Sequence, residues 1–212
     1  MRDRVPTRSR RRPRLVVLAG LPGTGKSTLA VRLAEATGGI WLRVDTVEAA
    51  MLKAGIERSF ESGLAAYVVV ADLARVHLGL GRTVIVDAVN GVEEARAAWR
   101  TAATESGAER YVLELVCADV AEHRRRVELR RSSTPPLPKP TWAEVLERRY
   151  DPWTEPTLVL DTSAPLAATV RRSLRFLARR PNAVPRRLRT RAGDPHGRQP
   201  RKRGTVPRLV RR

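Results

Sequence analysis

The chain has 212 residues and a formal net charge of +19. That length supports one α/β domain of ordinary size rather than two, and a hydrophobic share of 42% excludes a wholly disordered chain. A single cysteine, Cys117, excludes an intramolecular disulfide framework and a cysteine-cluster zinc site, and no apolar run approaches the roughly 18–20 residues that span a bilayer.

The charge is unevenly spread. Residues 1–14 carry seven arginines against Asp3, and residues 179–212 carry twelve arginines and Lys202 against Asp194. Between them, 15–178 is near neutral, with 21 basic and 20 acidic residues. This pattern predicts a basic arm (1–13), a folded domain (14–180) and a basic tail (181–212), with arm and tail disordered. The tail could bind nucleic acid through counterion release. It has no aromatic residue for stacking on bases, and compositional bias explains it equally, since Arg outnumbers Lys 37 to 4. Ser9–Arg14 ahead of Leu15–Ala19 loosely resembles a twin-arginine signal, but five apolar residues are too few for its hydrophobic region. The expectation is a cytoplasmic protein without a membrane partner, a monomer or weak dimer.

Leu15–Ala19 is wholly apolar and reads as a buried parallel strand. Gly20–Gly25 is a loop, and Lys26–Thr37 a helix with Leu29, Ala30, Leu33 and Ala34 on one face, stopped by Gly38 and Gly39. Ile40–Val44 reads as a second strand, Thr46–Ala54 as a helix, Glu57–Gly63 as a loop and Leu64–Leu80 as a long helix. Thr83–Asp87 is a third strand, Glu93–Ser106 a helix, Tyr111–Val116 a fourth strand, and Val120–Arg131 a strongly basic helix. Ser132–Pro140 has four prolines and cannot be regular. Thr141–Tyr150 is a short helix with Thr141 as N-cap and Glu144 completing a capping box. Leu158–Leu160 is the fifth strand and Pro165–Arg180 the closing helix. Strands alternating with helices give a parallel sheet covered on both faces, with ligands at the carboxyl ends of its strands.

Gly20–Ser27 matches G-x-x-x-x-G-K-[ST] between an apolar strand and an amphipathic helix. Gly23 and Gly25 let the backbone curl so that successive N–H groups face phosphate oxygens. The helix N-terminus adds partial positive charge. The nucleotide-binding set is therefore Gly20, Leu21, Pro22, Gly23, Thr24, Gly25, Lys26, Ser27 and Thr28. Lys26 reaches the β- and γ-phosphates, the Ser27 hydroxyl is a Mg²⁺ ligand, and Thr28 is placed near the α-phosphate.

Two acids follow strands. Asp87 has the form of a Walker B acid and could hold Mg²⁺ through water. Asp45 could be the general base for an acceptor hydroxyl. Each could instead cap the helix that follows, and Asn90 could bind the acceptor or order its own loop. In the basic helix, Arg126 and Arg130 are four apart on one face and could neutralise charge on the transferring phosphoryl group. Arg124 with Arg131 is the competing pair, and a solvated face paired with Glu122 and Glu128 the plain alternative. The proline-rich segment makes a stiff lid over about 124–150. Weaker candidates for an acceptor pocket are Trp41, Trp99, Trp142, Trp153, Arg58 and Tyr67. His77 and His123 are expected to be structural, and Cys117 a small buried hydrophobe.

GLPGTGKST, VDT at 44–46, VIVDAVN at 84–90 and CADVAEHRRRVELR at 117–130 together resemble the small P-loop kinases of the AAA-family ATP-binding group. Polynucleotide 5′-kinase, gluconate kinase, chloramphenicol phosphotransferase and zeta toxin are relatives of that group. The resemblance covers about 14–178. It implies a three-layer α/β P-loop NTPase fold with a five-stranded parallel sheet ordered 2-3-1-4-5 and a mobile helical lid. It also implies Asp45 as the acceptor-activating acid and Arg126 and Arg130 as lid arginines. Polynucleotide kinases carry an arginine shortly after that acid, where this chain has Glu48, which favours an uncharged or basic acceptor. The expected activity is transfer of the γ-phosphate of ATP, with Mg²⁺, to a hydroxyl of a small-molecule acceptor. A polynucleotide 5′-hydroxyl kinase tethered by its tails and a non-catalytic ATP-binding module are the competing readings.

Overall fold

A computed structural model describes residues 12–129, 135–155 and 157–179. The expectations for the basic arm up to residue 11, for the tail, and for Arg130 and Arg131 fall outside these residues.

Five strands form one parallel sheet: β1 (Arg14–Ala19), β2 (Ile40–Arg43), β3 (Thr83–Asp87), β4 (Glu109–Val116) and β5 (Leu158–Asp161), in the order β2-β3-β1-β4-β5. Seven helices lie among the described residues: α1 (Lys26–Thr37), α2 (Val44–Lys53), α3 (Phe60–Gly79), α4 (Glu93–Glu105), α5 (Val120–Leu129), α6 (Trp142–Glu147) and α7 (Leu166–Ala178). β1 is central because Leu15–Ala19 can be buried throughout, which only a strand covered on both faces tolerates.

Alternation along the strands builds two cores. Leu15, Val17, Val84 and Val86 face α3 and α4, packing on Val70, Ala71, Ala74, Leu78 and Trp99. Val16, Leu18, Ile85 and Leu113 face the other way, against Leu29, Ala30 and Leu33 of α1 and Leu177 of α7. The result is the three-layer sandwich that the strand–helix alternation predicts.

The boundaries differ in instructive places. α3 starts at Phe60 rather than Leu64, because Ser59 and Ser62 form a reciprocal capping box that a polar loop reading overlooks. α2 starts at Val44, directly after β2, so Asp45 lies in its first turn and Arg43 occupies the N-cap without a side-chain cap bond. β4 begins at Glu109, whose N–H donates to Pro13 O at 2.9 Å. The Thr141–Glu144 capping box forms as expected. No helix among the described residues is long and apolar enough to cross a membrane.

Candidate functional site

The loop from Gly20 to Gly25 turns the chain from β1 into α1, and glycine is required at two of its positions. Gly20 has φ 138°, and a Cβ there would stand 2.2 Å from Leu115 O, so β4 approaches the bare backbone. Gly23 has φ 85°, and its Cβ would stand 2.7 Å from Val127 Cγ2 and 3.2 Å from His123 Cδ2 on α5. Thr24 is 2% exposed and braces the loop internally, its hydroxyl donating to Leu21 O at 2.8 Å. The Lys26 ammonium donates to the carbonyls of Gly20 (2.8 Å) and Leu21 (3.0 Å), which fixes its stem across the loop. Lys26, Ser27 and Thr28 open α1, where the N–H groups have no intrahelical acceptor. Together these features make a concave, electropositive seat for an anion.

A cavity of about 980 Å³ opens over this seat, at the carboxyl edge of the sheet. Pro22, Gly23, Gly25, Lys26, Ser27 and Thr28 line it. Gly20, Leu21 and Thr24 do not, and instead shape the loop from behind. Asp45, Asp87 and Arg126 line the same cavity, so it gathers the base, metal and arginine candidates around the loop.

Asp87 is 4% exposed at the end of β3, and its Oδ2 accepts no hydrogen bond. The parallel register sets Arg43 beside Asp87. Arg43 Nε lies 3.5 Å from Asp87 Oδ2, and Arg43 Nη2 lies 3.4 Å from Asp45 Oδ2. One largely buried guanidinium thus links the two acids, a residue that no local motif marks. A buried carboxylate oxygen that accepts no hydrogen bond, lining the same cavity as Ser27, fits a divalent cation that takes its other ligands from phosphate and water. Among the described residues no group of three His, Cys, Asp or Glu side chains gathers to form a protein cage. Neither acid caps a helix: Asp45 is inside the first turn of α2, and the N-cap of α4 is Val92.

Beyond Asp45 the cavity is lined by Glu48, Arg58, Tyr67 and Arg148. Burial, reinforced by the neighbouring Asp45, pushes the Glu48 carboxyl above its usual range, and Arg58 and Arg148 pull it back. Glu48 therefore does not stand alone in place of an arginine; two guanidiniums reach the same end from other elements. Burial pushes the Tyr67 phenol up to about 12.

The helices α5 and α6 and the segment Leu137–Pro140 cover the cavity. Arg126 lines it while held by Glu122 (2.7 Å), Thr162 Oγ1 (3.1 Å) and Thr162 O (3.0 Å). Arg125 also lines it, paired to Glu122 at 2.6 Å, whereas Arg124 pairs with Glu128 at 2.7 Å and lies outside it. Cavity-lining and solvated arginines thus share one helix. His123, 7% exposed, places Nε2 2.8 Å from Pro22 O and packs edge-on against Trp142 of α6, so α5 connects the phosphate loop to the cover.

Asn90 is fully buried and orders its loop. Its amide donates to Leu18 O at 2.8 Å and Ala88 O at 3.4 Å and accepts from Trp99 Nε1 at 2.7 Å, and its complete burial keeps it from an acceptor. None of the four tryptophans lines the cavity; Trp99 is in the core, and Trp153 lies 4.0 Å beneath the Arg96 guanidinium. Arg96, 3% exposed, also donates to Asn90 O (2.9 Å), Pro152 O (2.8 Å) and Asp151 O. It clamps the chain leaving the cover onto the loop behind Asp87, a role that only long-range contacts reveal.

The AAA domain family model matches residues 15–152. No curated protein matches the chain. Several solved structures share the fold. A gluconokinase from Sinorhizobium meliloti 1021 is 24% identical with a TM-score of 0.60, covering 80% of this chain and 94% of its own. The Mycobacterium tuberculosis APS kinase in complex with AMPPNP and APS is 19% identical with a TM-score of 0.62, covering 79% and 99%. Chaetomium thermophilum Kti12 in complex with ADP-AlF3 is 22% identical with a TM-score of 0.59, covering 77% and 97%.

Proposed function

The chain belongs to the AAA domain family and has the fold of the small P-loop kinases, and on that premise we propose that its 14–180 domain is an ATP- and Mg²⁺-dependent phosphotransferase acting on a hydroxyl of a small-molecule acceptor. The observation that carries this reading is the shared cavity. The anion seat, a buried carboxylate oxygen that accepts no hydrogen bond and a second carboxylate at the acceptor end all line one space of about 980 Å³, large enough for a nucleotide beside a small acceptor.

In this reading the backbone N–H groups of Gly23–Ser27 and the Lys26 ammonium hold the triphosphate. Ser27 and Asp87 hold the cation, which when bound neutralises phosphate charge. Asp45 accepts the acceptor's hydroxyl proton. The new bond joins the acceptor oxygen to the γ-phosphorus, the bond to the β–γ bridging oxygen breaks, and ADP leaves with that electron pair. Arg126 stabilises the charge spread over the transferring group. Arg43 aligns Asp45 and Asp87 and so acts through both.

The test is an acceptor screen read as ADP release, with Lys26→Ala as the blank. Asp45→Asn should lower kcat by about 10²- to 10⁴-fold while leaving ATP affinity near that of the parent. Unchanged turnover would remove Asp45 as the base. ATP binding without transfer to any acceptor would replace the enzyme reading with that of a nucleotide-binding module.

A further inference from the structure

The outward face of α3 is apolar over most of its length. Its inward face buries Ala66, Val70, Ala71, Ala74 and Leu78. On the opposite side Val69 is 44% exposed, Leu73 44%, Val76 63% and Leu80, at the C-cap, 68%, with Val68 and Ala65 exposed beside them. Positions 69, 73, 76 and 80 are spaced four, three and four apart, the spacing of a seam between two helices. From Ala65 to Leu80 the stripe is about 22 Å long. Single exposed hydrophobics are ordinary; a continuous stripe along one helix marks a contact surface.

We propose that this surface receives a second copy of the chain, α3 against α3, antiparallel about a two-fold axis beside Leu73. The self-complementarity of the stripe argues for that occupant. In an antiparallel pair centred between Asp72 and Leu73, Val69 faces Val76 of the other copy. Small Ala65 faces large Leu80, and the two Leu73 side chains meet at the axis. The charges match in the same register. Glu57 and Glu61 outnumber Arg58 at the N-terminal end, and Arg82 lies at the C-terminal end, so each acidic end comes alongside a basic one. Asp72, the charge nearest the axis, is already ion-paired to Arg75, which also holds Glu105 at 2.7 Å. An interface that pairs one patch with itself is the form a two-fold dimer takes. This inference does not depend on the phosphotransfer reading.

Sedimentation of the full-length chain from about 1 to about 200 μM tests it. The expected result is a monomer–dimer equilibrium that Leu73→Asp weakens at least about tenfold, with unchanged far-UV circular dichroism. Glu61→Arg and Arg82→Glu should each weaken it, and the two together should restore it. Leu73→Cys should cross-link two chains under mild oxidation, the native Cys117 being buried. A wild-type chain that stays monomeric throughout overturns the proposal, whatever other partner the face takes. So does a dimer that survives Leu73→Asp and gives no Leu73→Cys cross-link.

Discussion

Replacing Asn90 by alanine removes one side chain and strands two others. The Trp99 indole N–H loses its acceptor at 2.7 Å, and Leu18 O loses a donor at 2.8 Å, both in fully buried surroundings. An orphaned buried polar group costs about 1–3 kcal/mol. Asn90 also has φ 55°, a left-handed conformation that asparagine tolerates and alanine resists by about 1 kcal/mol. The sum is a loss of about 3–7 kcal/mol, a large part of the ~5–15 kcal/mol that holds a typical domain. For a domain of this size that corresponds to a Tm lower by about 10 °C. Urea unfolding followed by circular dichroism measures it directly. A cycle with Trp99→Phe isolates the indole: with the N–H already gone, Asn90→Ala should cost about 1–2 kcal/mol less than in the parent. A loss under about 1 kcal/mol, or additive costs, would refute the account of Asn90 as the bond between the ends of β1 and β3.

Gly23→Ala should weaken ATP binding at least about tenfold by calorimetry, because the new methyl meets Val127 Cγ2 at 2.7 Å in a backbone conformation that alanine resists. Asp87→Asn should weaken the Mg²⁺-dependent part of nucleotide binding while sparing metal-free ADP binding, seen by titrating with and without the cation. Arg96→Lys keeps the charge but loses the planar fork over Trp153 and most of its carbonyl contacts; a Tm lower by several degrees in a thermal melt checks it. Burial pushes the folded Tyr67 phenol up to about 12, above its ordinary 10.0. The unfolded chain therefore releases this proton first, and the stability Tyr67 protects is full below pH 10 and lost as pH rises toward 12. Tyr67→Phe should flatten that alkaline decline in denaturation midpoints.

The parts of the site written in consecutive residues could be read directly. The Gly20–Ser27 motif dictates its own loop, and the apolar run of β1 dictates a central strand, so the seat, its helix and the parallel sheet follow from local chemistry. The Thr141–Glu144 capping box was legible for the same reason. What escaped depends on distant partners. Arg43 gains its role only when β2 pairs with β3 and sets it beside Asp87. Arg96 is accommodated in the interior because four backbone carbonyls and two aromatic rings converge on it, most of them more than fifty residues away. Asn90 admits an acceptor role or a structural one until Leu18 and Trp99 are seen at its two ends. The tryptophans suggested a pocket by their chemistry, and the structure uses that bulk as core filling and as a floor for Arg96.

The cover over the cavity is pinned at both of its roots. One is the His123 contact with Pro22 O; the other is the Asp151 N–H bond to Gly91 O at 2.7 Å together with the Arg96 clamp. Each pin lands on a loop that also shapes the floor. If the domain is the phosphotransferase proposed above, release from the cavity and endurance against heat would draw on the same few bonds. A variant selected in the laboratory for quicker release by loosening either root should melt earlier, and one selected for heat tolerance by tightening them should turn over more slowly.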